Sequence, residues 1–177
     1  MSPDYDLLIC GGGMVGASLA RALSPLGWRI ALVEAVPPAD PASPSFDDRA
    51  IALAWGSRLI LEGLGIWSAL STRAEPIVDI HISEQGCFGA ARLIHHHGGT
   101  PALGYVTTAR ELGRCLDEEL EQEVDLFCPA RLTSLEIGPD QVEVGIQREG
   151  GSHRFRTRLL VAADGRDSWV RRRLDIA

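Results

Sequence analysis

The sequence predicts an α/β fold: a Rossmann-like parallel sheet carrying an antiparallel meander and part of a second β-sheet. Three observations predict it. An apolar run, Asp6-Leu7-Leu8-Ile9-Cys10, leads straight into Gly11-x-Gly13-x-x-Gly16 and then into a helical pattern. A second apolar run ends on Glu34, and a third, Leu159-Leu160-Val161-Ala162-Ala163, is continuous in the manner of a parallel strand buried on both faces. Before that third run, Leu132 to Ile137, Val142 to Gln147 and His153 to Arg158 alternate apolar with polar residues. Pro139-Asp140 and Gly150-Gly151 separate them, which is the pattern of an antiparallel meander.

The remaining elements follow in order. A helix is expected from Met14 to Leu26, with Val15, Leu19, Leu23 and Leu26 as its apolar stripe and Pro25-Leu26-Gly27 as its stop. Arg29 to Val33 forms the second strand. Residues 36–48 hold Pro37, Pro38, Pro41 and Pro44, which rule out helix or central strand and mark an exposed excursion. Arg49-Ala50-Ile51-Ala52-Leu53 leads into a helix carrying Leu59, Ile60 and Leu64. Val78 to Ser83 and Ala91 to His95 read as a strand pair, and Tyr105-Val106-Thr107 as extended. From Ala109 to Gln122 an amphipathic helix sets Leu112, Leu116 and Leu120 against Asp117, Glu118, Glu119 and Glu121. Val124 to Cys128 returns to the sheet.

Bulk properties narrow the function. With 177 residues, 45% of them hydrophobic and 23% charged, the chain can bury a core and is not disordered. A net charge of -7 leaves no basic surplus for a nucleic-acid partner. Arg171-Arg172-Arg173 reads as the solvated face of a terminal helix. Cys10, Cys87, Cys115 and Cys128 have neither disulfide nor zinc spacing, and no signal peptide precedes the first strand. No apolar run reaches the roughly 20 residues that span a bilayer. The expectation is a cytoplasmic protein, soluble or peripheral at the inner membrane.

The glycine turn carries the chemistry. Gly11 permits the tight turn, Gly13 lets a pyrophosphate approach the backbone, and Gly16 lets the helix pack close to the strand. The helix N-terminus offers unpaired N–H groups and partial positive charge to phosphate. Glu34 falls where a carboxylate accepts hydrogen bonds from a ribose diol. These residues together predict an adenine dinucleotide ligand. Ala163-Asp164-Gly165-Arg166-Asp167-Ser168 is a second strand-to-helix turn, able to face the same ligand. By contrast, His95-His96-His97 would point to alternating faces of a strand and lacks supporting carboxylates or thiols, so no metal site is expected.

Gly11-Gly12-Gly13-Met14-Val15-Gly16, Glu34, Asp47-Asp48-Arg49-Ala50-Ile51-Ala52-Leu53 and the Asp164-Gly165 turn occur in the order found in one family. The chain resembles the FAD-dependent aromatic hydroxylases of the para-hydroxybenzoate hydroxylase fold. The stretch Val78 to Gly86 with Phe88-Gly89 is similar to the ubiquinone-biosynthesis branch. The resemblance implies FAD as cofactor and NAD(P)H as co-substrate. It implies oxygen and a prenylated phenol as substrates, a possible biosynthetic complex, and peripheral membrane contact.

Gly11, Gly13, Met14, Val15 and Gly16 would meet the FAD pyrophosphate, and Glu34 the adenosine ribose. Arg49 would contact FAD and incoming NAD(P)H. Arg110, or its neighbour Ala109, would contact the flavin, and Asp164 with Gly165 both cofactors. For Arg49 and Arg110 a surface ion pair or helix-end charge is the alternative. No catalytic acid or nucleophile is implied, because the cofactor carries the chemistry. The implied division is 1–76 as FAD-binding βαβ segment with loop 36–48, 77–107 as partial substrate-domain strands, and 108–177 returning with meander 131–158. Members of the family carry a later Gly-Asp motif that this chain does not contain, so it reads as an N-terminal part, inactive alone. A nucleotide-binding module without catalysis is the competing reading.

Overall fold

The computed structural model describes residues 2–37 and 48–176. Most of the proline excursion, residues 38–47, lies outside the described residues, and Asp47 with it. The chain divides into two compact units, Met1–Asp47 with Leu116–Ala177, and Asp48–Cys115. This division sets 48–76 apart from 1–47, which the sequence reading had grouped.

In chain order the elements are β1 (Tyr5–Cys10), α1 (Met14–Leu23), β2 (Ile30–Val33), β3 (Ala50–Ala54), α2 (Trp55–Gly63) and α3 (Trp67–Leu70). Then come β4 (Glu75–Ile77), β5 (Asp79–Ser83), β6 (Ala90–Ile94), β7 (Gly104–Thr108), α4 (Ala109–Asp117) and α5 (Leu120–Glu123). β8 (Asp125–Phe127), β9 (Ala130–Ile137), β10 (Val142–Arg148), β11 (Gly151–Ala162) and α6 (Trp169–Arg173) complete the chain.

The first unit is built on a six-stranded sheet of order β8-β2-β1-β11-β10-β9. β8, β2, β1 and β11 run parallel, while β10 pairs antiparallel with both β11 and β9. One core cluster joins Leu8, Cys10, Ala31 and Val33 of the parallel strands to Leu132, Leu135, Val144 and Ile146 of the meander. On α1 the buried residues are Gly16, Ala17 and Ala20. Small residues let the helix approach closely; a Cβ on Gly16 would come within 3.3 Å of the Ile9 side chain. The apolar stripe expected through Val15 is therefore shifted, and Val15 is exposed. The helix ends in a 3-10 turn, Ser24–Leu26, closed by Gly27 in the left-handed region.

Two expectations about continuity are corrected. His153 to Arg158 and Leu159 to Ala163 are not separate strands: β11 runs unbroken from Gly151 to Ala162. Its first half pairs antiparallel with β10 and its second half parallel with β1. The pattern changes at Leu159 because the neighbours change, not because the strand ends. Nor is the apolar half buried on both faces. Leu159 is 55% exposed although its partner Leu7 is buried, since α1 packs over β1 and β2 rather than β11.

The expected single helix from Ala109 to Gln122 is broken. α4 stops at Asp117, Glu119 adopts a left-handed φ of 60°, and α5 restarts at Leu120. Arg21 of α1 explains the break. Its Nε donates to the Leu116 carbonyl at 2.7 Å, and its other nitrogens reach the Glu118 carbonyl and the Glu123 carboxylate. The last carbonyls of α4 thus gain a cation in place of the next helical turn.

The second unit holds the antiparallel sheet β3-β7-β4 and the β5–β6 hairpin. Trp55 and Trp67 each lie against Tyr105, with ring centroids 6.4 Å and 4.7 Å from it, and the Arg58 guanidinium lies over both indoles. His95–Gly98 forms a 3-10 turn rather than strand, so the imidazoles contact one another edge to face instead of alternating. No helix among the described residues is long and apolar enough to cross a membrane.

Candidate functional site

Because β1, β2, β8 and β11 run parallel, their carboxyl ends lie on one side of the sheet. Ligands of open parallel sheets bind there. Backbone hydrogen bonds knit the four following loops together. Gly11 N–H donates to Val33 O at 2.8 Å, Ala163 N–H to Cys10 O at 2.7 Å, and Glu34 N–H to Phe127 O at 2.9 Å. An open cavity of about 870 Å³ lies over them. Its walls come from the glycine turn, Glu34 to Pro37, Cys128 to Leu132, and Ala163 to Gly165, with Asp117 and Glu121 beside them.

The glycine turn has no room for side chains. Gly11 has φ 102°, a left-handed conformation, and a Cβ there would sit 2.4 Å from Ala163 O. On Gly16 a Cβ would sit 1.9 Å from Gly11 O. Gly13 is the extended N-cap of α1, and no side chain caps that helix. The first-turn N–H groups of α1, those of Met14, Val15 and Gly16, therefore have neither intrahelical nor capping partners.

Glu34 is held from two sides. Gly12 N–H and Val36 N–H donate to its two carboxylate oxygens, which fixes the carboxylate beside the turn. Each oxygen keeps further acceptor capacity for a diol. Gly12 stands in the glycine motif with no role assigned from the sequence, yet a Cβ on it would press within 3.0–3.2 Å of the Glu34 side chain.

At the second turn Asp164 serves α6. Its Oδ1 accepts from Ser168 Oγ at 2.5 Å, and its Oδ2 accepts from Trp169 N–H at 2.7 Å and Val170 N–H at 3.2 Å. Ser168 Oγ in turn accepts from Arg171 N–H. Gly165 follows with φ 76°, and Arg171 donates from its guanidinium to Arg166 O. Trp169 packs against the core cluster and also lines the cavity.

Arg49 and Arg110 belong to the second unit. Ala109 N–H donates to Arg49 O, joining the start of α4 to the start of β3. Arg110 forms an exposed ion pair with Asp48, Nε to Oδ1 at 2.7 Å, and this pair holds the Asp48 carboxyl below its ordinary range. Ala109 is fully buried.

The protonation of the cavity walls has clear causes. Burial, helped by Asp164 and Glu34, pushes the Cys10 thiol up to about 12. Burial, with Glu34 and Asp117, also raises Cys128. Asp117 is raised to about 6, first by burial and then by Glu34, against a lowering by Arg21. Sequence reading missed Asp117 and the Cys128-Pro129 link. The signal for the link was available, since it follows the fourth parallel strand. Asp117 looked like one more charge on a solvated helix face.

A glycine cradle, an uncapped helix N-terminus and a fixed carboxylate beside it fit the pyrophosphate and ribose of a dinucleotide. That combination defines a dinucleotide-binding domain. More particularly, the chain belongs to the FAD binding domain family, whose model matches residues 4–177. It is 32% identical over 171 residues to "Ubiquinone hydroxylase UbiL" of Rhodospirillum rubrum, covering 94% of this chain and 38% of that protein. Identity to "3-demethoxyubiquinol 3-hydroxylase" of Escherichia coli is also 32%, over 94% of this chain and 42% of that protein. Among solved structures, OxyS anhydrotetracycline hydroxylase from Streptomyces rimosus superposes with TM-score 0.80 at 22% identity, over 97% of this chain and 34% of that one. The flavin-dependent monooxygenase PieE, solved with FAD and substrate, gives TM-score 0.78 at 26% identity, over 99% and 33%. The chain thus spans about two fifths of the curated relatives it matches.

Proposed function

We propose that this chain is the cofactor-binding N-terminal part of an FAD-dependent monooxygenase that hydroxylates a prenylated phenol in ubiquinone biosynthesis, using NAD(P)H and oxygen. The observation that carries the reading is the convergence of glycine turn, Glu34 and Asp164 turn on one cavity, in a chain whose relatives are named ubiquinone hydroxylases. Bound FAD would supply the redox chemistry, accepting hydride from NAD(P)H and passing oxygen to the ring.

The residues of this chain bind and orient. The N–H groups of Met14, Val15 and Gly16 hold the pyrophosphate, with Gly11 and Gly13 clearing its approach. The Glu34 carboxylate accepts from the adenosine ribose hydroxyls. Asp164 sets the α6 turn, so that it and Gly165 meet the flavin side with their backbone. Arg49 and Arg110 steer the anionic nicotinamide cofactor, Arg110 doing so from its pair with Asp48. Residues 77–107 supply strands to the substrate domain, and a prenyl tail would bring the intact enzyme to a membrane surface.

The test is reconstitution with FAD, followed by product and NAD(P)H measurement with a prenylated phenol. The intact protein should show a flavin spectrum and couple NAD(P)H oxidation to hydroxylation. These 177 residues alone should bind FAD yet consume NAD(P)H slowly, without matching product, because water is not excluded from the flavin. Tight NAD binding with no flavin spectrum would overturn the reading.

A further inference from the structure

We propose that Asp117 is the adenine-reading carboxyl group of the cavity, taking up a proton when the adenosine half of the cofactor binds. This rests on reading the cavity as an FAD site. Asp117 lines the same cavity as Glu34, but the two carboxylates are held differently. Glu34 accepts two backbone N–H donors, whereas no described residue donates a hydrogen bond to Asp117. As the last residue of α4, Asp117 also sits at the negative end of a helix, where an anion is disfavoured.

The acidic groups around it point the same way, against the cations. Glu34 at the end of β2 and Cys128 after β8 face it, and Glu119 and Glu121 share the cavity wall. Arg131 on β9 and Arg172 on α6 line the cavity as well, with Asp164 and Asp167 at the second turn. The neighbouring cation is Arg21 of α1, whose nitrogens are committed to the Leu116 and Glu118 carbonyls and to Glu123. Burial first, then Glu34, pushes the carboxyl up to about 6 against the lowering by Arg21, so only a modest further push is needed to protonate it near neutral pH.

An adenine laid over Asp117 would remove more water from it and favour the neutral acid further. The neutral acid presents an O–H donor beside a carbonyl acceptor. Adenine offers the matching edge, an amino donor beside a ring-nitrogen acceptor, whereas guanine offers two acceptors at its O6/N7 edge. Asp117 then selects adenine while Glu34 holds the ribose. An asparagine has the same donor and acceptor without the titration.

The experiment follows the Asp117 carboxyl carbon by NMR across pH 4.5–8, free and with ADP or FMN. The midpoint should lie near 6 in the free protein, rise with ADP, and stay put with FMN, which lacks adenosine. ADP affinity should fall up to tenfold per pH unit above 6 in the native chain. In Asp117→Asn it should be flat and near the native acid-limb value, and in Asp117→Leu weak at every pH. A midpoint unmoved or lowered by ADP, or the same pH slope in Asp117→Asn, would overturn the proposal. FAD binding, read separately by flavin absorbance, tests the parent reading: flavin bound with Asp117 unmoved overturns this proposal and leaves the FAD reading standing.

Discussion

The two strand-to-helix turns of the nucleotide-binding unit share a grammar and differ in what they leave available. Both follow parallel strands that are neighbours in the sheet, and both use a glycine with positive φ. In the second turn, Asp164 accepts from Trp169 and Val170 N–H and from Ser168, so the donors at the start of α6 are spent within the protein. In the first turn, no side chain caps α1, and its N–H groups stay open. A carboxylate inside the turn spends the helix donors; a carboxylate outside it, on the next strand, leaves them open. Glu34 is that outside carboxylate.

The largest expected effect comes from filling the first turn. Gly11→Ala or Gly16→Ala drives a methyl group into a backbone oxygen, and backbone cannot yield as a side chain can. Each substitution should cost about 3 kcal/mol or more of stability and abolish FAD binding, as read by thermal unfolding and flavin absorbance. Gly165→Ala meets open space and carries only the strain of its positive φ, about 1 kcal/mol. Equal losses at Gly165 and Gly16 would erase the distinction between the turns.

Next comes Glu34→Ala. Losing charge-assisted hydrogen bonds to a ribose diol should weaken FAD or ADP about tenfold or more, or about 1.5–3 kcal/mol. Asp164→Ala should do the reverse. It removes the cap of α6 at about 0.5–2 kcal/mol of stability, with a smaller change in ADP affinity. A larger affinity loss at Asp164 than at Glu34 would invert the roles.

How far the sequence foretold this depends on how local each feature is. The glycine turn, its strand and Glu34 are legible because each depends on neighbours within one βαβ unit. The break after Asp117 was not, because its cause is Arg21, a residue far earlier in the chain. The unity of β11 was hidden by its two kinds of partner, which give Phe155 and Leu160 different patterns within one strand. Asp164 was legible as a turn residue, but its commitment to α6 needed the hydrogen-bond geometry.

The smallest effect is on stability against pH. The Asp117 carboxyl is pushed up to about 6 in the folded chain from the ordinary 3.8, so the folded state binds the extra proton between those values. Its contribution is therefore full at low pH, falls as pH rises from about 4 to 6, and is lost above that. Asp4, lowered first by the Arg156 backbone N–H, and Glu111, lowered by Arg73 and Arg114 against burial, act with the opposite sign. Comparing native chain with Asp117→Asn isolates the one group: the native chain should lose stability relative to the variant as pH climbs from 4 to 6.

The contrast between the turns is tested most directly by titrating the protein with ADP and following its backbone amides by NMR. The largest shifts should fall on Gly13 to Gly16 and on the Glu34–Val36 segment. Trp169 and Val170, whose N–H groups are already bonded to Asp164, should move little. Large shifts at Trp169 and Val170 with none at Gly13 to Gly16 would contradict it.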